Sequence, residues 1–225
     1  MPFCSGLGSS AASAVAAVFA CNQLMKFDLS KLELLPFAAA GESLVSGGMH
    51  YDNIAPCMLG GMVLSPSADP SQIIQLPNVK SFWIVAVHPN LQIATKDARA
   101  VLPKTIKLKK AIQQSANLAS FINAVHRKDF AEISRSMQDV LAEPYRAKLI
   151  PAFQKVKQAA LKNGALACGI SGAGPSMFAL VYKYKNCSQI AMAMKKAFAK
   201  KNIAAQAFIS KINTEGAKIV EDFQV

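Results

Sequence analysis

Arginine is scarce in this chain of 225 residues, and none occurs before Arg99. The formal net charge of +12 at pH 7 comes from 21 lysines and only four arginines. Residues 1–80 carry a net charge of −2, whereas residues 81–225 carry +14. A basic half can indicate nucleic-acid binding, but the aromatic residues do not alternate with the lysines in a stacking pattern. We therefore expect no nucleic-acid partner and a lysine-rich, solvated surface that attracts small anions.

Long hydrophobic runs and paired cysteines are missing as well. No uninterrupted apolar stretch approaches the roughly 18 residues of a membrane span, and no basic residue precedes the apolar run at 11–20, as it would in a signal peptide. The five cysteines form no Cys-x-x-Cys pair, which disfavours a metal cluster and a disulfide framework. Together with 52% hydrophobic residues, these absences favour a globular cytoplasmic protein with no membrane partner.

The hydrophobic patterning predicts an α+β protein. Helices are predicted at 9–25, 31–46, 95–102, 106–125, 129–141, 148–162 and 187–201, and strands at 60–66, 81–88, 165–170, 177–182 and 203–210. Helix 9–25 is apolar on nearly all sides, which predicts that it is buried. Ser30 and Glu33 form a capping box, and Pro36 is expected to kink or restart the helix that follows. The final β, β, α, β order predicts helices on one face of an antiparallel sheet.

The segment Gly6-Leu7-Gly8-Ser9-Ser10-Ala11-Ala12 places two glycines directly before a predicted helix. Glycine lets a backbone approach a ligand, and the unpaired N–H groups of a helix N-terminus attract anions, most often phosphate. The segment is not a Walker A loop, because no Gly-Lys-Ser/Thr follows, and Ala11 replaces the third glycine of a dinucleotide fingerprint. The motif by itself is equally compatible with a capped helix after a flexible turn.

Polar residues among small apolar neighbours mark a second candidate region. Glu42 lies either at a solvated helix edge or buried with a partner. A hydroxyl such as that of Ser10 and one carboxylate can hold Mg²⁺ when phosphates complete the coordination shell. In the turn that follows, Asp52 and Asn53 either form Asx turns with the backbone or orient a substrate hydroxyl.

The basic half contains a glycine turn and two well-placed arginines. The turn, with Gly172 and Gly174 between two predicted strands, is either a wide hairpin loop or an anion-binding nest. Arg99 and Arg146 offer a planar fork that suits a carboxylate or a phosphate. A surface position with no ligand is an equally good interpretation of either arginine.

These features, in this order, resemble the GHMP small-molecule kinases. The segment from Pro2 to Ala12 is similar to their phosphate loop, and 170–176 is similar to their third glycine motif. The middle of the chain looks like the homoserine kinases of this family, in Gly41-Glu42, in His50-x-Asp52-Asn53-Ile54-Ala55-Pro56, and in the segments 95–103 and 143–151. The resemblance covers nearly the whole chain.

The resemblance implies a two-domain GHMP kinase fold. Residues 1–92 would be an incomplete N-terminal, ATP-binding part like the second domain of ribosomal protein S5, and 93–225 a ferredoxin-like α/β sandwich. Family members carry a strand-rich segment before the phosphate loop, and no such segment precedes the loop here. We therefore expect an incomplete N-terminal sheet and impaired activity of this chain alone.

The resemblance also implies the reaction and its residues. ATP would phosphorylate the side-chain hydroxyl of L-homoserine, giving O-phospho-L-homoserine for threonine biosynthesis. The ATP phosphates would bind Pro2, Ser5, Gly6, Leu7, Gly8, Ser9, Ser10, Ala11 and Ala12. Mg²⁺ would be held by Ser10 and Glu42.

The implied substrate site lies in both halves of the chain. Asn53, with Asp52 beside it, would bind the attacking hydroxyl, so that Glu42, Asn53 and Asp52 form the catalytic set without a firm base role for Asp52. The substrate-binding residues would be His50, Asn53, Thr95, Arg99, Arg146, Gly172 and Gly174. The two arginines would grip the substrate carboxylate.

Two alternatives remain open at this point. The chain could be a catalytically impaired remnant of a GHMP kinase, or a GHMP kinase for another small alcohol. A homodimer is compatible with the sequence.

Overall fold

A computed structural model describes residues 2, 5–46, 48–77, 79 and 81–220. The described residues form two compact units. The sheet unit comprises Met1–Leu7 and Val79–Lys211, and the helical unit comprises Gly8–Asn78 and Ile212–Val225. The domain boundary predicted between residues 92 and 93 stays a prediction about the family, whereas the compact units divide close to residue 78.

The helical unit is built from three helices and a small antiparallel sheet. Its elements are α1 (Ser9–Met25), α2 (Lys31–Ser46), α3 (Ile54–Leu59), β1 (Met62–Leu64) and β2 (Ile74–Leu76). The three helices pack on one another, and Leu35, Ile54 and Met58 are fully buried among them. This small core holds the beginning of α1 and the middle of α2 together.

The sheet unit contains four antiparallel strands and six helices among the described residues. The strands are β3 (Trp83–Pro89), β4 (Ala167–Ile170), β5 (Met177–Val181) and β6 (Ala205–Lys211), and the helices are α4 (Thr95–Ala100), α5 (Leu108–Arg127), α6 (Phe130–Ser136), α7 (Glu143–Arg146), α8 (Phe153–Lys162) and α9 (Cys187–Ala199). The sheet order is β4-β5-β3-β6, with α8 before β4 and α9 between β5 and β6. This β-α-β-β-α-β order is that of a ferredoxin-like sandwich.

Alternating burial in β3 fixes the register of this sheet. Val85 and Val87 are fully buried, and Val85 lies opposite Ala179 and Ile209. On α9, Ile190, Met194 and Phe198 are fully buried, and their spacing of four residues puts them on one helix face. The helix therefore packs its apolar stripe on the inner face of the sheet.

The α+β class and most element positions are confirmed. The bounds of α1 agree with the prediction, and the capping box forms, with the backbone N–H of Ser30 donating to Glu33 Oε2 over 2.8 Å. Pro36 lies inside a continuous α2, so the helix does not restart there, and the kink stays a prediction. The predicted helix 129–141 ends at Ser136 instead, because Asp139 Oδ1 and Oδ2 accept backbone N–H groups at the start of α7.

The predicted burial of α1 is wrong for most of its length. In the described part of the chain only Ala11, Val15 and Asn22 of this helix are buried, and Leu24 is 81% exposed. An alanine-rich helix looks apolar on every side, yet it buries only the face that meets α2 and α3. None of the helices in the described ranges combines the length and apolarity that a bilayer-spanning segment requires.

The four cysteines that the structure describes are free thiols of mixed exposure. Cys168 and Cys187 are buried, Cys21 is exposed, and Cys4 lies outside the described residues. Burial raises the pKa of the Cys168 thiol to about 12. A thiol with so high a pKa is not a nucleophile at neutral pH, which leaves Cys168 a packing role.

Candidate active site

Ser10 and Glu42 meet in the helical unit. The Ser10 hydroxyl in the first turn of α1 donates to Glu42 Oε1 on α2 over 3.1 Å. Glu42 is only 9% exposed, and its Oε2 has no hydrogen-bond partner among the described residues. The buried interpretation of Glu42 is therefore correct, and the solvated helix edge is excluded.

The second carboxylate oxygen of Glu42, Oε2, is buried from solvent and accepts no hydrogen bond from the described residues. Burial raises the pKa of this carboxyl, and the negative charge of Asp52 adds to the shift, while the Ser10 hydrogen bond and His50 lower the pKa. An unpaired buried carboxylate oxygen is costly unless a cation or a donor reaches it. Hard oxygen donors of this kind suit Mg²⁺, although no group of three His, Cys, Asp or Glu side chains that could hold a metal occurs in the described ranges.

The N-terminus of α1 lies close to Asn53. Gly8 is the N-cap in a left-handed conformation, with φ 75° and no side chain to cap the helix. A Cβ atom added at Gly8 would lie 3.2 Å from Asn53 Oδ1, so glycine allows the two to approach. The first N–H groups of a helix have no partner within it, and here they adjoin an amide side chain and the Ser10–Glu42 pair.

In the sheet unit, the glycine turn 171–176 packs against the first part of the loop. The Ser171 hydroxyl donates to the carbonyl of Gly6 over 2.8 Å, and the N–H of Ser176 donates to the carbonyl of Ser5 over 3.1 Å. A Cβ atom added at Gly6, where φ is 75°, would lie 2.2 Å from the carbonyl oxygen of Ser171. Gly172 and Gly174 also lie against Gly6. Their proposed contact with substrate stays a prediction.

Arg146 and Arg99 lie in different surroundings in the sheet unit. Arg146 on α7 donates from Nη1 to the carbonyl of Gly172 over 3.0 Å and from Nε to the carbonyl of Ala98 over 3.2 Å. It therefore connects the glycine turn to α4, the helix that begins at Thr95. Arg99 is exposed on the same helix. Their grip on a carboxylate stays a prediction.

The predicted residues divide between the two units. Gly8, Ser9, Ser10, Ala11, Ala12, Glu42, His50, Asp52 and Asn53 lie in the helical unit, and Pro2, Ser5, Gly6, Leu7, Thr95, Arg99, Arg146, Gly172 and Gly174 lie in the sheet unit. The structure brings Ser10 to Glu42, Asn53 to Gly8 and Gly172 to Gly6. Sequence reasoning missed His88, whose Nδ1 lies 3.0 Å from Ser176 Oγ. The sequence feature that could have drawn attention to His88 is its position at the end of the predicted apolar strand 81–88.

Two family models match this chain. The one described as GHMP kinases N terminal domain matches residues 1–61, and the one described as GHMP kinases C terminal matches residues 121–215. The chain thus carries both parts of the GHMP kinase fold, in agreement with its α+β architecture and its glycine loop.

Comparison with individual proteins shows which group of GHMP kinases the chain resembles. The chain is 43% identical to homoserine kinases from Chlorobium phaeobacteroides and Chlorobaculum tepidum over 98% of its own length, and it spans 69% and 68% of theirs. The crystal structure of homoserine kinase from Cytophaga hutchinsonii matches it with a TM-score of 0.94 at 46% identity, over 98% of this chain and 70% of that one. The chain belongs to the homoserine kinase family of the GHMP kinases.

Proposed function

We propose that this chain transfers the γ-phosphoryl group of ATP to the side-chain hydroxyl of L-homoserine, forming O-phospho-L-homoserine and ADP. The observation that carries the proposal is the Ser10–Glu42 pair at the N-terminus of α1, with Asn53 beside Gly8. The relatives that are 43% identical to the chain over 98% of its length are homoserine kinases. Phosphoryl transfer needs positioning and charge neutralisation more than covalent chemistry from the protein. The N-terminus of α1, together with a cation held at Glu42, would supply both.

The side-chain oxygens of Ser10 and Glu42 in the helical unit are suitable ligands for the Mg²⁺ ion that would bind together with ATP. Ser10 Oγ and Glu42 Oε2, which has no hydrogen-bond partner in the described part of the chain, would serve as oxygen ligands. A magnesium site usually consists of one or two carboxylates, water and substrate phosphates. When bound, the ion would neutralise phosphate charge that develops during transfer. Glu42 and Ser10 would hold the ion.

The remaining residues of the proposed site would bind the ATP phosphates and orient homoserine. The N–H groups at the start of α1 would bind phosphate oxygens. Asn53 would align the homoserine hydroxyl, and Asp52 is given no base role. Arg99 and Arg146 would bind the substrate carboxylate with a two-point contact. Thr95 and His50 would also bind the substrate.

The proposal also includes a cellular location and an oligomeric state. The proposed product is a phosphorylated amino acid on the route to threonine, and we propose that the protein acts in the cytoplasm. A homodimer is part of the proposal, and size-exclusion chromatography with light scattering tests it.

ADP release from the purified chain tests the proposal. The chain is incubated with Mg²⁺-ATP and homoserine, and separately with mevalonate, galactose or shikimate. We expect ADP release with homoserine alone, and a phosphomonoester signal of the product in ³¹P NMR. ATP binding without homoserine-dependent release would indicate a non-catalytic remnant, and release with another alcohol would indicate a different GHMP kinase. Either result contradicts the proposal.

A further inference from the structure

His88 lies in the sheet unit beside the glycine turn but belongs to none of the motifs. It is the penultimate residue of β3, where it is half-buried, and its Nδ1 lies 3.0 Å from Ser176 Oγ. Ser176 is fully buried at the end of the turn. A buried hydroxyl without a partner is costly, so this histidine satisfies a group that water cannot reach.

Ser176 connects the histidine to the phosphate loop. Its backbone N–H donates to the carbonyl of Ser5 over 3.1 Å. Ser5 is 1% exposed, and its Oγ in turn accepts the N–H of Leu7 over 3.2 Å. One continuous set of hydrogen bonds therefore runs from the His88 ring to the residue before Gly8, the N-cap of α1.

This set of bonds acts on a backbone that has little freedom to shift. The Ser171 hydroxyl holds the carbonyl of Gly6 from the other end of the same turn. The N–H of Ser171 donates to the carbonyl of Ser176 over 2.9 Å, which closes the turn. Displacing Ser176 would therefore shift the turn 171–176, which holds the carbonyls of Ser5 and Gly6 by hydrogen bonds.

We propose that His88 is a positioning residue for phosphate binding: through Ser176 it holds residues 5–7 of the loop in the conformation that receives the ATP phosphates. The inference rests on the proposed function for its relation to turnover. His88 does not act by charge, because burial lowers the pKa of its imidazole and keeps the ring neutral at neutral pH. It contributes a hydrogen bond and the shape of its ring.

Three variants and one control test the proposal. H88A removes the ring, S176A removes the hydroxyl and keeps the backbone N–H, and H88N keeps a polar atom close to the position of Nδ1. The matched control is H126A, because His126 is exposed on α5 and its Nδ1 lies 2.9 Å from the carbonyl of Ile122 in its own helix. These four variants and the double variant H88A/S176A are compared with the parent chain after thermal unfolding shows that they fold.

Two measurements report on the loop without homoserine turnover. Hydrogen exchange of the peptide covering residues 2–10 should be faster in H88A and S176A, unchanged in H126A and largely restored in H88N. Calorimetry should show an ATP Kd raised about tenfold in H88A, the change that corresponds to roughly one lost hydrogen bond in a buried site. The double variant H88A/S176A should be no worse than H88A, because the two groups act as a unit.

Turnover supplies the third measurement. H88A should raise the KM for ATP about tenfold and leave the KM for homoserine near the parent value. Loop exchange and an ATP Kd in H88A equal to those of H126A would overturn the positioning role. A parent chain that binds ATP but does not turn over homoserine would contradict the proposed function, while hydrogen exchange and ATP binding would still decide the role of His88.

Discussion

Two glutamates on α2 should respond in opposite directions to the same substitution. Burial raises the pKa of Glu42, whereas the side chain and backbone N–H of Ser30 lower the pKa of Glu33 in the capping box. The folded state therefore disfavours the charged form of Glu42 and favours the charged form of Glu33. Without nucleotide or Mg²⁺, E42Q should stabilise the chain at neutral pH, and E33Q should destabilise it.

The contacts of Glu42 give the direction of the effect, and its size is taken from typical values for buried polar groups. One carboxylate oxygen accepts the Ser10 hydroxyl, and the other is buried without a described partner. An amide keeps this shape and one unpaired atom but removes the buried charge, for which we take a gain of about 1 kcal/mol. In a chain of this size, that corresponds to a rise in Tm of about 2–4 °C. Glu33 is exposed, and for it the direction alone is predicted.

The pH dependence follows from the same shifts. Below the ordinary glutamate pKa of 4.5, Glu42 is protonated in both the folded and the unfolded chain, so E42Q and the parent should have equal Tm. The gain should appear as the pH rises from 4.5 through the raised pKa and stay constant above it. The loss in E33Q should be complete above pH 4.5 and disappear as the pH falls through the lowered pKa.

Thermal unfolding at closely spaced pH values between 3.5 and 8, together with ADP release, forms the assay. Homoserine-dependent turnover should fall at least about 100-fold in E42Q, because the proposed magnesium ligand loses its charge, and should stay near the parent value in E33Q. A Tm of E42Q below the parent at pH 7.5, or full turnover in E42Q, would refute the reasoning. Equal pH profiles in the two variants would refute the assignment of opposite pKa shifts.

The remaining predictions concern the sheet unit. G6A should lower the Tm, because a Cβ atom would lie 2.2 Å from the Ser171 carbonyl at a φ of 75° that alone costs about 1–2 kcal/mol; an unchanged Tm would contradict the close packing. K157M should lower the urea unfolding free energy by about 1–3 kcal/mol, since it leaves the largely buried Glu143 without its ion-pair partner, and K157R should restore most of the loss. R99K should raise the KM for homoserine about tenfold with kcat little changed, since lysine cannot make a two-point contact; unaltered kinetics would remove Arg99 from the substrate site.

Local sequence signals predicted most of the elements. The bounds of α1 and the capping box depend on nearby residues and agree with the structure. The short strand β2 was missed because three residues carry no usable periodicity, and α3 was missed because a polar turn and Pro56 obscure its start. The end of α6 depends on where the Asp139 side chain finds its donors, which is a contact with the next helix.

The candidate site was predictable in residue type and not in arrangement. The resemblance selected Ser10, Glu42 and Asn53, and the structure shows two of these as a hydrogen-bonded pair. Arg146, expected to face a ligand, also bonds two backbone carbonyls. His88 carried no motif, because its partner Ser176 lies 88 residues away in the chain.

The sequence by itself determined the family, the helix and strand periods and the order of the motifs, because each depends on residue types and on their positions along the chain. The tertiary structure alone decided that Glu42 is buried with one oxygen unpaired, that most of α1 is exposed, and that the turn 171–176 supports Ser5 and Gly6. Burial and long-range hydrogen bonds arise when distant segments pack together, and a pattern read along the chain does not contain those distances.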